Sequence, residues 1–252
     1  MEFLNYFVQL YKGKYNLLTH LTLFSMCGLA VVCGNNVLSY KIGTWYGSYF
    51  GFSSSNDFVI SICALTSIML FLFIPSYGFV YANHLQNSDD NNLPSLSLNA
   101  YIVMLKVLPV LCLWTLYGFV AYLLSAYVIN LGHLAFVVYN ILMLLLLPFA
   151  TTVLIKFSAD FKYSADILNP FLAFKKVDFH LYKLYLFALM ISILILGLFF
   201  LCINIVKNSV IFSDIYRVLG IKILGLCIFY YFLNVIYLAY IKGVVSIIKD
   251  KK

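Results

Sequence analysis

The residues of this chain that could do chemistry are few and scattered. Lys106 stands inside the long run Tyr101–Asn130, which is otherwise uncharged. An ionisable group at membrane depth marks an ion or substrate path by default, whereas a Lys near a helix start can instead snorkel its ammonium to the headgroups. Asn140 and Asn234 lie within apolar runs. There an amide seeks a partner on a neighbouring helix for about 0.6–2 kcal/mol, so the two could meet at a packed interface or line a small polar cavity. His20, His84, His133 and His180 are single residues at run ends or in loops, with no Ser or Cys nucleophile at a readable spacing, which predicts solvated or interfacial imidazoles.

Every aspartate falls between the apolar runs, so no carboxylate pair offers the proton relay of a pump. The cysteines Cys27, Cys33, Cys63, Cys112, Cys202 and Cys227 all sit within apolar runs, where a thiol acts as a small hydrophobe. None is spaced for a disulfide framework or a zinc site. Phosphate loops, zinc-protease helices and nucleophile elbows are missing from the sequence. The expected catalytic, cofactor and metal residues are therefore none, and the chain reads as a non-enzyme.

What must position these residues follows from composition. Of 252 residues 64% are hydrophobic and 10% charged, with a mean hydropathy of +0.99. Sixteen basic and nine acidic residues cannot cover the surface of a soluble domain this long. The net charge of +7 is spread over loops and tail without a basic stripe, which excludes a nucleic-acid partner.

About 20 apolar residues cross the hydrocarbon core. Six runs qualify as expected spans: Leu17–Gly34, Phe58–Ala82, Pro109–Asn130, Leu134–Ile155, Leu184–Val206 and Val218–Ile241. The third is expected to follow an interfacial first turn and a proline bend at Pro109. Leu131, Gly132 and His133 then force a tight hairpin into the fourth. The first run has Met26 and Val32 ahead of Cys27 and Cys33, not the small residue a signal peptidase needs, so it is expected to be retained.

Lys12 and Lys14, the group Lys156, Lys162, Lys175, Lys176 and Lys183, and the tail lysines Lys242, Lys249, Lys251 and Lys252 share one face. Lys41, Lys207 and Arg217 are left on the other. The excess of Lys predicts both termini in the cytoplasm. Gly43, Gly47 and Gly51, at four-residue spacing within Lys41–Phe52, could form a close-packing helix face, but with Trp45, Tyr46, Tyr49 and Phe50 the region reads rather as an aromatic loop on the opposite surface.

A pattern recurs ahead of three spans: Leu4-Asn5-x-Phe7-like runs ending at Lys12, Leu98-Asn99 ending at Lys106, and Leu168-Asn169-Pro170 ending at Lys176. Asn is a favoured helix cap, and the aromatic and Lys that follow suit a helix lying in the interface. The expected fold is all-α, a single integral membrane domain over 1–252. It is built as three interfacial-helix-plus-hairpin units of approximately 1–92, 93–160 and 161–252. Compositional chance in a chain heavy in Leu, Asn and Phe is the competing account of the repeat.

The stretch into the third span reads Gly78-Phe79-Val80-Tyr81-Ala82-Asn83, then Asp89-Asp90-Asn91-Asn92, then Leu93-Pro94, with an aromatic and Lys106 ahead of the span. This resembles the prokaryotic multi-pass membrane family catalogued as domain of unknown function 4013. There a Gly-aromatic helix end, a short acidic or polar loop and a Leu-Pro pair precede the third helix. The family's usual Arg residues after the glycine are not found here. The resemblance implies a six-span protein of a bacterial or archaeal plasma (inner) membrane and no assigned activity.

The segment Lys156–Lys183 interleaves lysines with Phe residues, as an amphipathic element on an anionic leaflet does, and Phe171, Phe174, Lys175 and Lys176 are its expected membrane or partner contacts. The functional expectation is a membrane subunit without enzymatic activity, bound to membrane lipids and to other membrane proteins or to itself. Two alternatives stay open. One is the six-span permease subunit of an ABC-type exporter, with a separate ATPase as partner and Asn83–Leu98 as its coupling loop. The other is a lipid-modifying enzyme using His20, His84 and His180.

Overall fold

The computed structural model describes residues 2–13, 16–46, 57–88, 92–124, 127, 134, 137, 151–158, 179–208 and 215–250. The described elements are helical: α1 (Glu2–Gln9), α2 (Asn16–Tyr46), α3 (Asp57–Asn87), α4 (Asn99–Leu123), a short helical segment at 151–158, α5 (Phe179–Asn208) and α6 (Ile215–Lys249). In hydrocarbon a backbone must satisfy its own N–H and C=O groups, and uninterrupted helices do this for the long apolar runs. Five of them are long and apolar enough to cross a membrane, over Asn16–Gly34, Phe58–Asn87, Asn99–Val120, Phe179–Cys202 and Ile221–Lys249. The fourth expected span, Leu134–Ile155, and the hairpin at 131–133 lie almost wholly outside the described residues.

Several boundaries differ from the sequence expectation. α2 continues to Tyr46, so Lys41–Tyr46 is helix and not external loop. α3 runs through Pro75 to Asn87. Near it the Ser76 hydroxyl donates to the Leu72 carbonyl at 2.6 Å, and the Tyr237 hydroxyl of the neighbouring α6 donates to that of Pro75 at 3.4 Å, which ties the two helices together there.

α4 likewise passes unbroken from Asn99 through Pro109, so the second unit has no separate interfacial helix; its motif is the first two turns of a span. Only the first unit shows the expected separate element, α1, and there Asn5 lies exposed mid-helix and does not cap it. The third motif, at 168–176, is outside the described residues.

α6 is the hub, packed against α1, α2, α3 and α5. Its C-terminal half is enclosed all round: Asn234, Val235, Ile236 and every residue from Leu238 to Val245 are buried. Glycine makes two of these approaches possible. A Cβ on Gly78 of α3 would run into the ring of Tyr237 and lie 2.7 Å from Ile241, and one on Gly243 would lie 2.7 Å from Leu184 of α5 and 3.1 Å from Tyr6 of α1.

α3 and α4 are antiparallel, since the Tyr77 hydroxyl reaches the Pro94 carbonyl at 2.6 Å and the Tyr101 hydroxyl reaches Met69, about two turns back along α3, at 3.2 Å. A second apolar cluster joins Phe79, Val103, Val107 and Val110 to Val153, Leu154 and Phe157 of the short segment. The outward sides of α4 and α5 are large apolar residues, among them Leu105, Leu116, Phe119, Met190, Leu194 and Leu201.

Gly78→Ala is expected to lower stability by about 1–3 kcal/mol, the cost of overpacking a tight site, because both the Tyr237 ring and Ile241 would have to shift to admit the methyl group. Thermal unfolding in detergent beside Gly197→Ala, where a Cβ meets nothing, measures it. Equal melting temperatures for the two variants would contradict the close approach.

Candidate functional site at one end of the bundle

α1, the start of α2, the end of α3 and the end of α6 meet at the same end of the bundle, and two polar clusters lie there. The first grows from Asn16, the opening residue of α2, which is 1% exposed. Its Nδ2 donates to the Leu10 carbonyl at 2.7 Å and its Oδ1 accepts the Leu93 backbone N–H at 3.0 Å. One amide side chain thus holds the chain leaving α1, the head of α2 and the α3–α4 connection together.

His20, one turn further along α2, is buried with both ring nitrogens engaged. Nε2 faces the Leu10 carbonyl at 3.3 Å and Nδ1 faces the Tyr231 hydroxyl at 3.1 Å. A carbonyl only accepts, so Nε2 carries the proton and Nδ1 accepts from Tyr231. The Tyr231 oxygen then accepts from the Tyr11 hydroxyl, 3.2 Å away, and the order Tyr11→Tyr231→His20→Leu10 is fixed for a neutral imidazole. Tyr11 also stacks on the ring of His20, with centroids 4.2 Å apart. Partial burial pushes the Tyr11 phenol above its ordinary value, so it stays a proton donor at neutral pH.

The second cluster surrounds a cavity of about 360 Å³ lined by Tyr6 and Gln9 of α1, Leu85 and Ser88 at the end of α3, and Lys242, Val245, Ser246, Lys249 and Asp250 at the end of α6. Lys242 is 5% exposed, and its Nζ is buried with no hydrogen-bond partner among the described residues. Lys249 reaches the Ser88 carbonyl at 3.0 Å. An ammonium held out of water without a partner costs several kcal/mol.

The short segment closes the same end. Gln86 donates to the Ile155 carbonyl at 2.7 Å, Asn83 to that of Ser158, and the Thr151 and Tyr240 hydroxyls meet at 2.9 Å.

Of the residues singled out by sequence, Lys106 and Asn234 are described and stand on different helices, α4 and α6. Lys106 is exposed on α4. Asn234 is buried at the α2–α6 contact, donating to its own helix at Tyr230 (2.7 Å) and to the Cys27 sulfur (3.7 Å). Asn140, Phe171, Phe174, Lys175 and Lys176 are outside the described residues.

Two expectations are corrected. His20, expected as a solvated or interfacial imidazole, is not solvated, because the turn after α1, at Leu10 and Tyr11, covers it and both ring nitrogens are engaged. Lys242 belongs to the enclosed part of α6 and not to a solvated tail, because α6 continues to Lys249. The signal for the second was the apolar run Gly243-Val244-Val245-x-Ile247-Ile248 beyond the lysine. No family model, curated protein or solved structure matches the chain.

Asn16→Ala is expected to leave the Leu93 N–H without its acceptor, at about 1–3 kcal/mol, and to speed hydrogen exchange over residues 92–98 before the rest of the bundle. Exchange read by mass spectrometry checks this. Unchanged protection in that segment would mean that Asn16 is not what holds it.

Proposed function

We propose that this chain is an integral membrane subunit without enzymatic activity, which binds lipid and neighbouring membrane proteins or further copies of itself. The observation that carries the reading is the division of labour in the described helices. The polar groups of Asn16, His20, Asn83, Gln86 and Tyr231 are taken up in holding helices to one another, while the outward sides of α4 and α5 are apolar. Such faces are suited to acyl chains and to other transmembrane helices. No nucleophile–base pair is seen among the described residues to support the lipid-modifying alternative.

The distribution of Lys and Arg supports a plasma-membrane protein of six spans with both termini in the cytoplasm. The resemblance through Gly78–Lys106 supports a prokaryotic membrane. A second reading, the permease subunit of an ABC-type exporter, is favoured by α1 as a separate short helix ahead of the first span. It is weakened by the α3–α4 connection, which would be the coupling loop. That connection is tied to the bundle through Leu93 and Pro94 instead of standing free to meet an ATPase.

Gentle purification from the native membrane with mass spectrometry of what accompanies the chain is expected to recover a stoichiometric membrane partner, a second copy or one enriched lipid class. A stoichiometric ATPase would replace this reading by the permease one, and a chain recovered alone without enriched lipid would remove both. Tags at the two ends are expected to be protease-accessible only in inverted vesicles.

A further inference from the structure

We infer that the cavity between α1 and the ends of α3 and α6 is a binding site for a phosphate ester, held by Lys242 and Lys249. The inference rests on the lipid-binding reading above and names the chemistry of its ligand. Lys242 is the buried cation of the site, 5% exposed and without a hydrogen-bond partner among the described residues. It lines a space of about 360 Å³, within the size range of small-ligand pockets.

The other polar lining groups can complete an anion's shell: the Ser246 hydroxyl and the Gln9 amide can donate, and Lys249 stands at the rim with its ammonium on the Ser88 carbonyl. Among the described residues Asp250 is the one carboxylate in the lining. It is exposed at the end of α6, and the Lys242 ammonium makes no bond to it, so the two lysines leave the site with net positive charge.

A phosphate suits this set because it accepts several charge-assisted hydrogen bonds at once, and lysine serves it as a point charge. The place in the fold favours a headgroup as its source. The site lies at the ends of candidate spans, under a short helix whose Leu4 and Val8 point outward as apolar surface on which acyl chains can lie. A soluble phosphate compound would use the same groups.

The test uses the full chain, delipidated in an uncharged detergent, with three probes: short-chain phosphatidic acid, short-chain phosphatidylcholine and inorganic phosphate. Binding is read by native mass spectrometry and by the shift in melting temperature. Phosphatidic acid is expected to bind and stabilise the wild-type protein and to bind Lys242→Met about tenfold more weakly or worse, the loss expected for one charge-assisted contact. Lys242→Met without ligand is expected to be at least as stable as wild type, since it removes an unpaired buried charge.

Ser246→Phe keeps both lysines and fills the cavity. It is expected to lose binding as well, and it carries the test if Lys242→Met does not fold. Binding of inorganic phosphate with the same dependence on Lys242 would support the site and assign it to a soluble ligand. Failure of every probe to bind, or binding that neither variant changes, would overturn the inference. Because the chain is measured alone, that failure is distinct from the absence of a copurifying partner.

Discussion

Everything described in this bundle depends on the enclosure of the second half of α6. Lipid tails are as apolar as leucine, so helices in a membrane gain little by hiding apolar surface from their surroundings and associate through close packing and polar contacts. α6 takes part in four helix contacts, and no residue from Leu238 to Val245 is left at the surface. Close approach on several sides at once requires backbone without side chain at the crossings. This is where Gly78 meets Tyr237 and Ile241, and where Gly243 meets Leu184 and Tyr6. The large residues between them, Ile236, Leu238, Tyr240 and Ile241, fill the remaining space against α2, α3 and α5 in a single apolar cluster.

Packing alone leaves the helices free to slide, and the hydrogen bonds at one end remove that freedom. Asn16 reads two backbone groups separated in sequence by the whole α2–α3 hairpin, and His20 with Tyr231 and Tyr11 adds an order in which each group has one role. Because Leu10 accepts from both Asn16 and His20, its carbonyl has both lone pairs occupied, and the end of α1 cannot lift without stranding donors on α2. Both donors are buried, so such a loss would leave them without a partner. The network is therefore a lock on register.

How much of this was legible depended on the kind of signal. Long apolar runs between charges mark helices by length alone, and the five apolar helices coincide with such runs to within a few turns. The ends were harder, because Lys106 and Lys242 both look like boundaries. α4 and α6 each run through their lysine without interruption, since nothing in the backbone chemistry of lysine stops a helix. The Leu-Asn motif misled for a related reason: Asn is a good cap, yet at Asn5 it is simply an exposed helical residue. Asn16 and His20 were out of reach from spacing, since their partners Leu93 and Tyr231 are brought to them only by tertiary structure.

The two lysines show what the fold does with a charge. Lys106 lies on an exposed part of α4, where a flexible stem can carry its ammonium to the headgroups while its carbons rest on apolar surface. Lys242 has no such exit, because the residues on either side of it, Ile241 and Gly243, are themselves walled in by α1, α3 and α5. A methionine of similar length would fill that space without a desolvation penalty, so packing gives no reason for an ammonium there. The feature that distinguishes its surroundings from the rest of α6 is the cavity, with Ser246 a turn away on the same helix face and Lys249 a further turn along. A second cation at the rim makes the pair more attractive to an anion. Negative charge in the space between them would offset the cost of holding the first one out of water.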